Sequence, residues 1–482
     1  MLRNQVQLIT YPDSLGGTIS DVERFITEYL QDAIGGVHIL PFYPSSADRG
    51  FAPLTHLSVD PAFGTWEDIR RISTQYDLVV DLTVNHLSYE SEYFQDYLAN
   101  GDGSPYASMF LEVDAFLERH EAELDSLSGL YRPHPSLPFT TFKLWDGTTK
   151  RIWTTFTNHQ VDLDVESPKT RLLMQQFIDT LVANGANLIR LDAVGYTVKR
   201  PHTNSFLIPE TYDFIEWLRS VTPSRVDLLA EIHHDPQKQM ELLASNSVEW
   251  VYDFSLPLLV LHALQVGNCT YVRNWISIRP STQITTLDTH DGIGVIDVQG
   301  LLPQSDIDAT VSRIEHNGAN AMMRANGLSA DNLDIYQINT TYYSALGEDD
   351  DAYITARAIQ FFIPGIPQVY YVGLLAGSND HAAFAKTNHG RDVNRHNYTH
   401  DEIKEVIQRP VVQRLLRLMR LRSNHPAFQG DFTLKSGTEE HVLALRWEHE
   451  DVYCEATIDV QQKTVHVELV HPHTKQVEVE QY

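Results

Sequence analysis

Four polar clusters close short apolar runs in the first three hundred residues: Asp81-Leu-Thr-Val-Asn85-His86, Arg190-Leu-Asp192-Ala-Val-Gly-Tyr196, Glu231-Ile-His233-His234 and Asp288-Thr-His290-Asp291. One such cluster is ordinary, since Asp, Asn and His are common in turns. The set is more specific. A retaining transfer at a sugar carbon needs one carboxylate to attack and a second, about 5–5.5 Å away, to protonate the leaving oxygen and later act as base. Asp192 and Glu231 end successive runs, as that separation requires. A third carboxylate, Asp291, suits stabilisation of the positive charge that develops, and Arg190, His86 and His290 are donors able to keep a nucleophile ionised and to orient a ring.

The elements that carry these residues have the pattern of a barrel. Eight runs of strand character occur, at Val6–Tyr11, Val37–Pro41, Leu78–Val84, Asn187–Ala193, Val226–Glu231, Glu249–Phe254, Ile284–Asp288 and Gly365–Tyr371. Helical spacing fills most intervals, at Asp21–Leu30, Asp68–Gln75, Ser167–Val182, Glu210–Ser220, Pro236–Ser245, Leu256–Val266, Ala352–Phe362 and Glu402–Arg422. Strand–helix alternation predicts a parallel sheet, and eight units predict a closed (β/α)8 TIM barrel of the α/β class, with its chemistry at the C-terminal strand ends. Ser167 is placed to cap its helix, with Pro168 at the first helical position.

Spacing also sets the organisation. A structureless loop is improbable in the long gaps after the third and seventh strands. Residues 1–86, 167–299 and 348–429 are therefore expected to form the barrel, with inserted subdomains at 87–166 and 300–347 overhanging its catalytic face. Alternation in Val442, Ala444, Arg446 and Val465, Val467, Leu469 predicts a small C-terminal antiparallel β domain over 430–482.

Composition excludes other classes. Acidic residues number 64 against 36 basic ones, a formal charge of −28, which repels nucleic-acid phosphates and anionic membrane surfaces. The cluster Arg414, Arg417, Arg420 and Arg422 lies on a helix whose Val412, Leu415, Leu416 and Met419 have core spacing, which reads as a solvated barrel helix. Only Cys269 and Cys454 are present, too few for a disulfide framework. With no signal-peptide layout and no apolar run long enough to cross a membrane, a cytoplasmic protein is expected. His233-His234 lacks the spacing of a zinc helix, so no metal is expected, and no other cofactor.

Taken together, Val6-Gln-Leu-Ile-Thr-Tyr11, Gly36-Val-His-Ile-Leu-Pro41, Val84-Asn-His86, Arg190-Leu-Asp-Ala-Val-Gly-Tyr196, Leu287-Asp-Thr-His-Asp-Gly-Ile-Gly294, Gln368-Val-Tyr-Tyr-Val-Gly373 and Gly390-Arg-Asp-Val-Asn-Arg-His396 resemble the α-amylase clan, and within it the sucrose phosphorylases. The resemblance spans nearly the whole chain. It implies Asp192 as nucleophile, Glu231 as acid/base and Asp291 as transition-state stabiliser, with Asp48, Phe51, His86, Arg190, His290 and Arg391 around the glucosyl unit. Phe51 would be an apolar platform, and Asp48 with Arg391 a polar clamp. It further implies a phosphorolysis in which sucrose gives its glucosyl group to Asp192, fructose leaves, and inorganic phosphate takes the group as α-D-glucose 1-phosphate, with no cofactor. A homodimer is compatible with the resemblance but is not legible in the residues.

On the acceptor and phosphate side the resemblance implies Arg132, His134, Phe156, Gln160, Tyr196, His233, Asp334, Tyr336 and Gln337. His134, in Tyr131-Arg-Pro-His134-Pro-Ser-Leu-Pro-Phe139, stands where the best-known sucrose phosphorylases carry arginine. An unperturbed histidine loses its charge near pH 6.5, so phosphate affinity is expected to weaken from pH 6 to 8, with Arg132 as a substitute cation. In Leu333-Asp334-Ile-Tyr336-Gln337-Ile-Asn339, Asp and Gln would hold fructose. Relatives acting on sucrose 6'-phosphate have histidine for that tyrosine, and glucosylglycerol phosphorylases lack the aspartate. Ala52, in Gly50-Phe-Ala-Pro53, instead resembles the sucrose 6'-phosphate group. The competing readings are those two phosphorylases, a retaining α-glucoside hydrolase, and a non-catalytic amylase-like subunit, which would have lost a carboxylate.

Overall fold

The computed structural model describes residues 2–134, 136–326 and 333–482, and the side chains of residues 325, 326, 333 and 334 also lie outside the description. Eight strands close a barrel: β1 (Gln7–Thr10), β2 (Gly36–Ile39), β3 (Asp77–Thr83), β4 (Ala186–Asp192), β5 (Asp227–Ala230), β6 (Trp250–Asp253), β7 (Gln283–Thr285) and β8 (Ile366–Tyr370). Each pairs in parallel with its sequence neighbour, and β8 returns to β1. All eight apolar runs thus become strands of the predicted barrel.

Side chains alternate across a strand, so one inward residue fixes the rest. Val79, Leu188, Leu229, Tyr252, Ile284 and Ile366 pack together as an apolar floor inside the barrel. Two and four residues further along the same strands stand Asp81, Arg190, Asp192 and Glu231. The inner face therefore changes from apolar to charged towards the C-terminal rim. Register completes the placement: Thr83 is opposite Asp192, and Ala230 is opposite Leu191, which sets Glu231 abreast of Asp192.

The helices follow the predicted positions with instructive differences. Ile19–Phe25 runs on into a π-turn at Ile26–Leu30. Ser167 is the residue before the helix Pro168–Ala183, but its hydroxyl bonds the Ser108 hydroxyl at 3.1 Å and caps no amide. The expected helix Glu402–Arg422 is two, His400–Val406 and Pro410–Asn424. Pro410 has no N–H to continue the ladder and disfavours helical backbone at Arg409, so the chain breaks there. On the second of these helices Val412, Leu415, Leu416 and Met419 are buried as expected. Arg422 is not solvated: it is buried and donates to Phe361 O, Gly365 O and Asn4 O and Oδ1.

Between β3 and β4 lie the helices Glu92–Asn100 and Val113–Arg119 and the hairpin Phe139–Lys143 with Thr149–Trp153. His86–Ser88 pairs with Gln160–Asp162, tying the two ends of this excursion together. Between β7 and β8, Asn320–Asn326 and Leu333–Asn339 form an antiparallel pair. Ile293–Gly294 extends it on one edge and Tyr131–Arg132 on the other. This sheet joins the two excursions above the barrel mouth. The chain ends in a five-stranded antiparallel sheet, Asp431–Leu434, Val442–His449, Val452–Asp459, Thr464–Val470 and Val477–Gln481. Cys269 and Cys454 are buried free thiols. Among the described residues, no helix is long and apolar enough to cross a membrane.

Candidate active site

A cavity of about 500 Å³ opens at the C-terminal end of the barrel. Asp192, Glu231, Asp291, Asp48, Phe51, His86, His290, Arg391, His134, Phe156, Gln160, Tyr196, His233, Tyr336 and Gln337 all line it. Two of the residues singled out in the sequence do not, and the side chain of a third lies outside the described residues. Arg190 lies beneath the carboxylates. Arg132 is buried, is not among the residues that line the cavity, and donates from Nη1 to Ser136 O at 2.6 Å. The backbone of Asp334 pairs with that of Arg324, while its side chain is outside the described residues.

Arg190 organises the centre. Its Nη1 donates to Asp192 Oδ1 at 2.9 Å and to Asp81 Oδ1 at 2.5 Å, and its Nη2 is 4.0 Å from Glu231 Oε2. Burial pushes the Asp192 carboxyl well up, and the charges of Glu231, Asp81 and Asp291 add to this, while Arg190 pulls it down. Arg190 is thus the group that favours the ionised, nucleophilic form. Ala193, next in the chain, sits in the left-handed region at φ 54°, and this turn aims its N–H at Glu231 Oε2, 2.9 Å away. A non-glycine residue held there costs on the order of 1 kcal/mol, and such strain clusters at functional sites.

Asp291 and Asp48 share two guanidiniums. Arg391 Nη1 is 2.7 Å from Asp291 and 4.0 Å from Asp48, and Arg395 Nη1 is 3.3 Å from Asp48. Burial opposes ionisation of both, yet the arginines outweigh it and hold both carboxyls below the usual range, Asp291 far below. Phe51 stacks on His290 with ring centroids 4.7 Å apart and planes 3° from parallel. His86 Nε2 is 2.8 Å from Phe51 O. Burial lowers His86, and it pushes His290 down to about 3, so both are neutral donor–acceptors and not cations.

His134 corrects an expectation. Burial, assisted by the charge of Arg391, lowers its pKa to about 4. It is therefore neutral throughout pH 6 to 8 and does not titrate there as an unperturbed histidine would.

Glu231, His233 and Asp291 place ligand-type atoms within 4.8 Å of one another. Hydrogen-bond and ionic partners already claim them. Asp291 is held by Arg391, Glu231 accepts from Ala193 N–H, and His233 Nδ1 faces Asp297 Oδ2 at 3.0 Å. That donor set fits an acid–base site better than a cation site.

Three supporting residues were invisible as site residues in the sequence. Arg395 donates from Nε to His290 O at 2.9 Å, and its only sequence signal is its place in the Gly390–His396 motif. Asp297 follows a barrel strand by a dozen residues and meets His233 only through the fold. Lys199, fully buried, donates to Asp162 Oδ2 at 2.5 Å, Asn85 Oδ1 at 2.9 Å and Tyr196 O at 2.6 Å. It ties the rim of β4 to the strand that carries Gln160. Asp162→Asn would leave a buried ammonium without its anion, so stability is expected to fall by about 3–5 kcal/mol, read as a lower urea midpoint. An unchanged midpoint would remove Lys199–Asp162 from the supports of the site.

A barrel with three rim carboxylates, an arginine beneath the first and an aromatic platform beside them defines a class, and comparison with known proteins agrees. The catalytic-domain profile of alpha-amylase matches residues 12–289. Glucosylglycerol phosphorylase from Marinobacter adhaerens is 46% identical over 97% of each chain. Sucrose phosphorylase from Bifidobacterium adolescentis is 44% identical over 93% of this chain and 91% of its own. The crystal structure of sucrose 6F-phosphate phosphorylase from Thermoanaerobacter thermosaccharolyticum superposes with a TM-score of 0.95 at 41% identity, covering 100% of this chain and 99% of that one. The chain belongs to the alpha-amylase family, in the group that these phosphorylases form.

Proposed function

We propose that this glycoside phosphorylase acts on sucrose, through a covalent glucosyl–Asp192 intermediate. In the first step the Asp192 carboxylate attacks the anomeric carbon while Glu231 gives its proton to the departing fructose oxygen. In the second, inorganic phosphate attacks the same carbon, Asp192 leaves, and Glu231 recovers a proton from the phosphate. Two inversions return the α configuration, as α-D-glucose 1-phosphate. The observation that carries the reading is the joint placement of Asp192, Glu231 and Asp291 in one cavity that Tyr336 and Gln337 also line.

Sucrose is favoured over its 6'-phosphate because position 336 is a tyrosine that lines the cavity, whereas Ala52 is buried and is not among the residues that line it. Glucosylglycerol is the second reading, supported by the near-equal identities of 46% and 44% to the two kinds of relative.

The deciding assay incubates the protein with sucrose, with and without phosphate, and quantifies glucose 1-phosphate, glucose and fructose. Phosphate-dependent glucose 1-phosphate with little free glucose is expected. Equal glucose and fructose irrespective of phosphate would mean a hydrolase. No turnover of sucrose, with turnover of glucosylglycerol or sucrose 6'-phosphate in parallel incubations, would transfer the assignment to that substrate.

A further inference from the structure

A phosphorylase must draw a multiply charged anion into a cavity whose carboxylates repel it. The guanidiniums close by are engaged: Arg190 with Asp81 and Asp192, Arg391 with Asp291, Arg395 with Asp48. His86, His290 and His134 are neutral by burial. We propose that Asp297 is a positioning residue that holds His233 as an imidazolium beside Glu231, giving the acceptor side of the cavity a fixed cation for phosphate.

The geometry is that of a buried charge pair. Asp297 is fully buried, with Oδ2 3.0 Å from His233 Nδ1 and Oδ1 accepting from His234 N–H at 3.1 Å. Ser255 Oγ donates to its backbone carbonyl at 2.7 Å, fixing the turn. Room for the carboxylate comes from Gly294, where a Cβ would stand 1.8 Å from Asp297 Oδ2. The imidazole is clamped between Phe254, stacked at 3.9 Å, and the edge of Tyr336 at 5.7 Å. Nδ1 is thereby turned to the carboxylate and Nε2 to the cavity, 3.5 Å from Glu231 Oε1 and 3.1 Å from Gln337 Nε2. An imidazolium Nε2–H calls for the amide oxygen on that side; the two ends of an amide are interchangeable in shape, and the exchange gives up the 3.5 Å contact of Gln337 Oε1 with Arg391 Nη2.

Charges facing the ring are Asp297, Glu231 and, further off, Asp291. Burial works to lower the His233 pKa, but these carboxylates, Asp297 first, raise it above the ordinary value. The cation is therefore present below that raised value and lost as pH rises through it. Replacing Asp297 by an amide leaves burial dominant and moves the loss to lower pH.

The inference rests on the phosphorylase reading, and its test separates the two. The full-length protein is compared with Asp297→Asn, His233→Gln and the double variant. Histidine ring NMR, with the His233 signal assigned by its loss in His233→Gln, reads the ionisation itself and needs no turnover. The His233 signal is expected to titrate above about 6.5 in the parent and about one unit or more lower in Asp297→Asn. The phosphate KM at pH 7 is expected to rise about tenfold in either single variant, more than kcat falls, and no further in the double variant. An unchanged His233 titration in Asp297→Asn overturns the proposal, as does an unchanged phosphate KM in His233→Gln, which decides alone if Asp297→Asn does not fold. A parent protein without phosphate-dependent product refutes the phosphorylase reading, while the titration still judges the Asp297–His233 pairing.

Discussion

Asp192→Ala is expected to lower turnover of the glucosyl donor by at least about 10⁴-fold, because no other group can take the covalent role. The loss is chemical and not structural. Asp192 stands on the cavity wall, and its removal does not strand a buried cation, since Arg190 keeps Asp81 at 2.5 Å. It also relieves a cluster in which burial and three neighbouring carboxylates oppose ionisation of Asp192. The melting temperature should therefore hold or rise, as it does where an enzyme stores strain at its site. On the proposed mechanism the vacated volume lies on the β face of the sugar. A small nucleophile such as azide, supplied with α-glucosyl fluoride, should enter there and give the β-glucosyl azide, releasing fluoride in a single inversion. Retention of more than a few per cent of activity, or an α-configured azide product, would take the nucleophilic role away from Asp192.

Much of this site was legible because a barrel converts strand order into geometry. Once the runs ending at Asp192 and Glu231 are read as neighbouring parallel strands, the two-residue period places both side chains inward above Leu188 and Leu229. Apolar runs also suffice to locate every barrel strand, since buried parallel strands need no polar face. What stayed hidden has a common cause: contacts across large sequence separations carry no local signature. Asp297 reaches His233 and Lys199 reaches Asp162 only after the barrel closes. The pairing of Ala325 with Arg132, which joins the two excursions, is of the same kind. Charge states were hidden for a second reason. His134 and His233 are alike in sequence, yet burial drives the first down to about 4 while Asp297 raises the second. Pro410 interrupts a stretch whose apolar periodicity alone reads as one helix. In the C-terminal sheet Val442, Ala444 and Arg446 alternate as expected, but on that strand Leu443 and Leu445 are buried more completely than Ala444.

Glu231→Gln separates the acid/base role from every other use of that position. The amide keeps the side-chain length and can still accept from Ala193 N–H, now 2.9 Å from Oε2, so the turn after Asp192 is preserved. What it cannot do is give up a proton. Fructose is a poor leaving group that needs protonation as the bond breaks, and loss of a general acid costs about 10²–10⁴-fold. The turnover of sucrose is expected to fall by about 10³-fold, whereas α-glucosyl fluoride, whose leaving group departs with little proton assistance, should form the glucosyl enzyme at close to the parent rate. Phosphate then attacks as an anion and depends less on a base than a sugar hydroxyl does, so fluoride with phosphate should still give glucose 1-phosphate. The measured quantity is the ratio of kcat/KM for fluoride to that for sucrose, which should rise by about 10²-fold or more. An equal fall for both donors would assign Glu231 to binding and leave the proton to His233, whose Nε2 lies 3.5 Å from the same carboxylate; the pH profile of His233→Gln with the two donors would then decide between them.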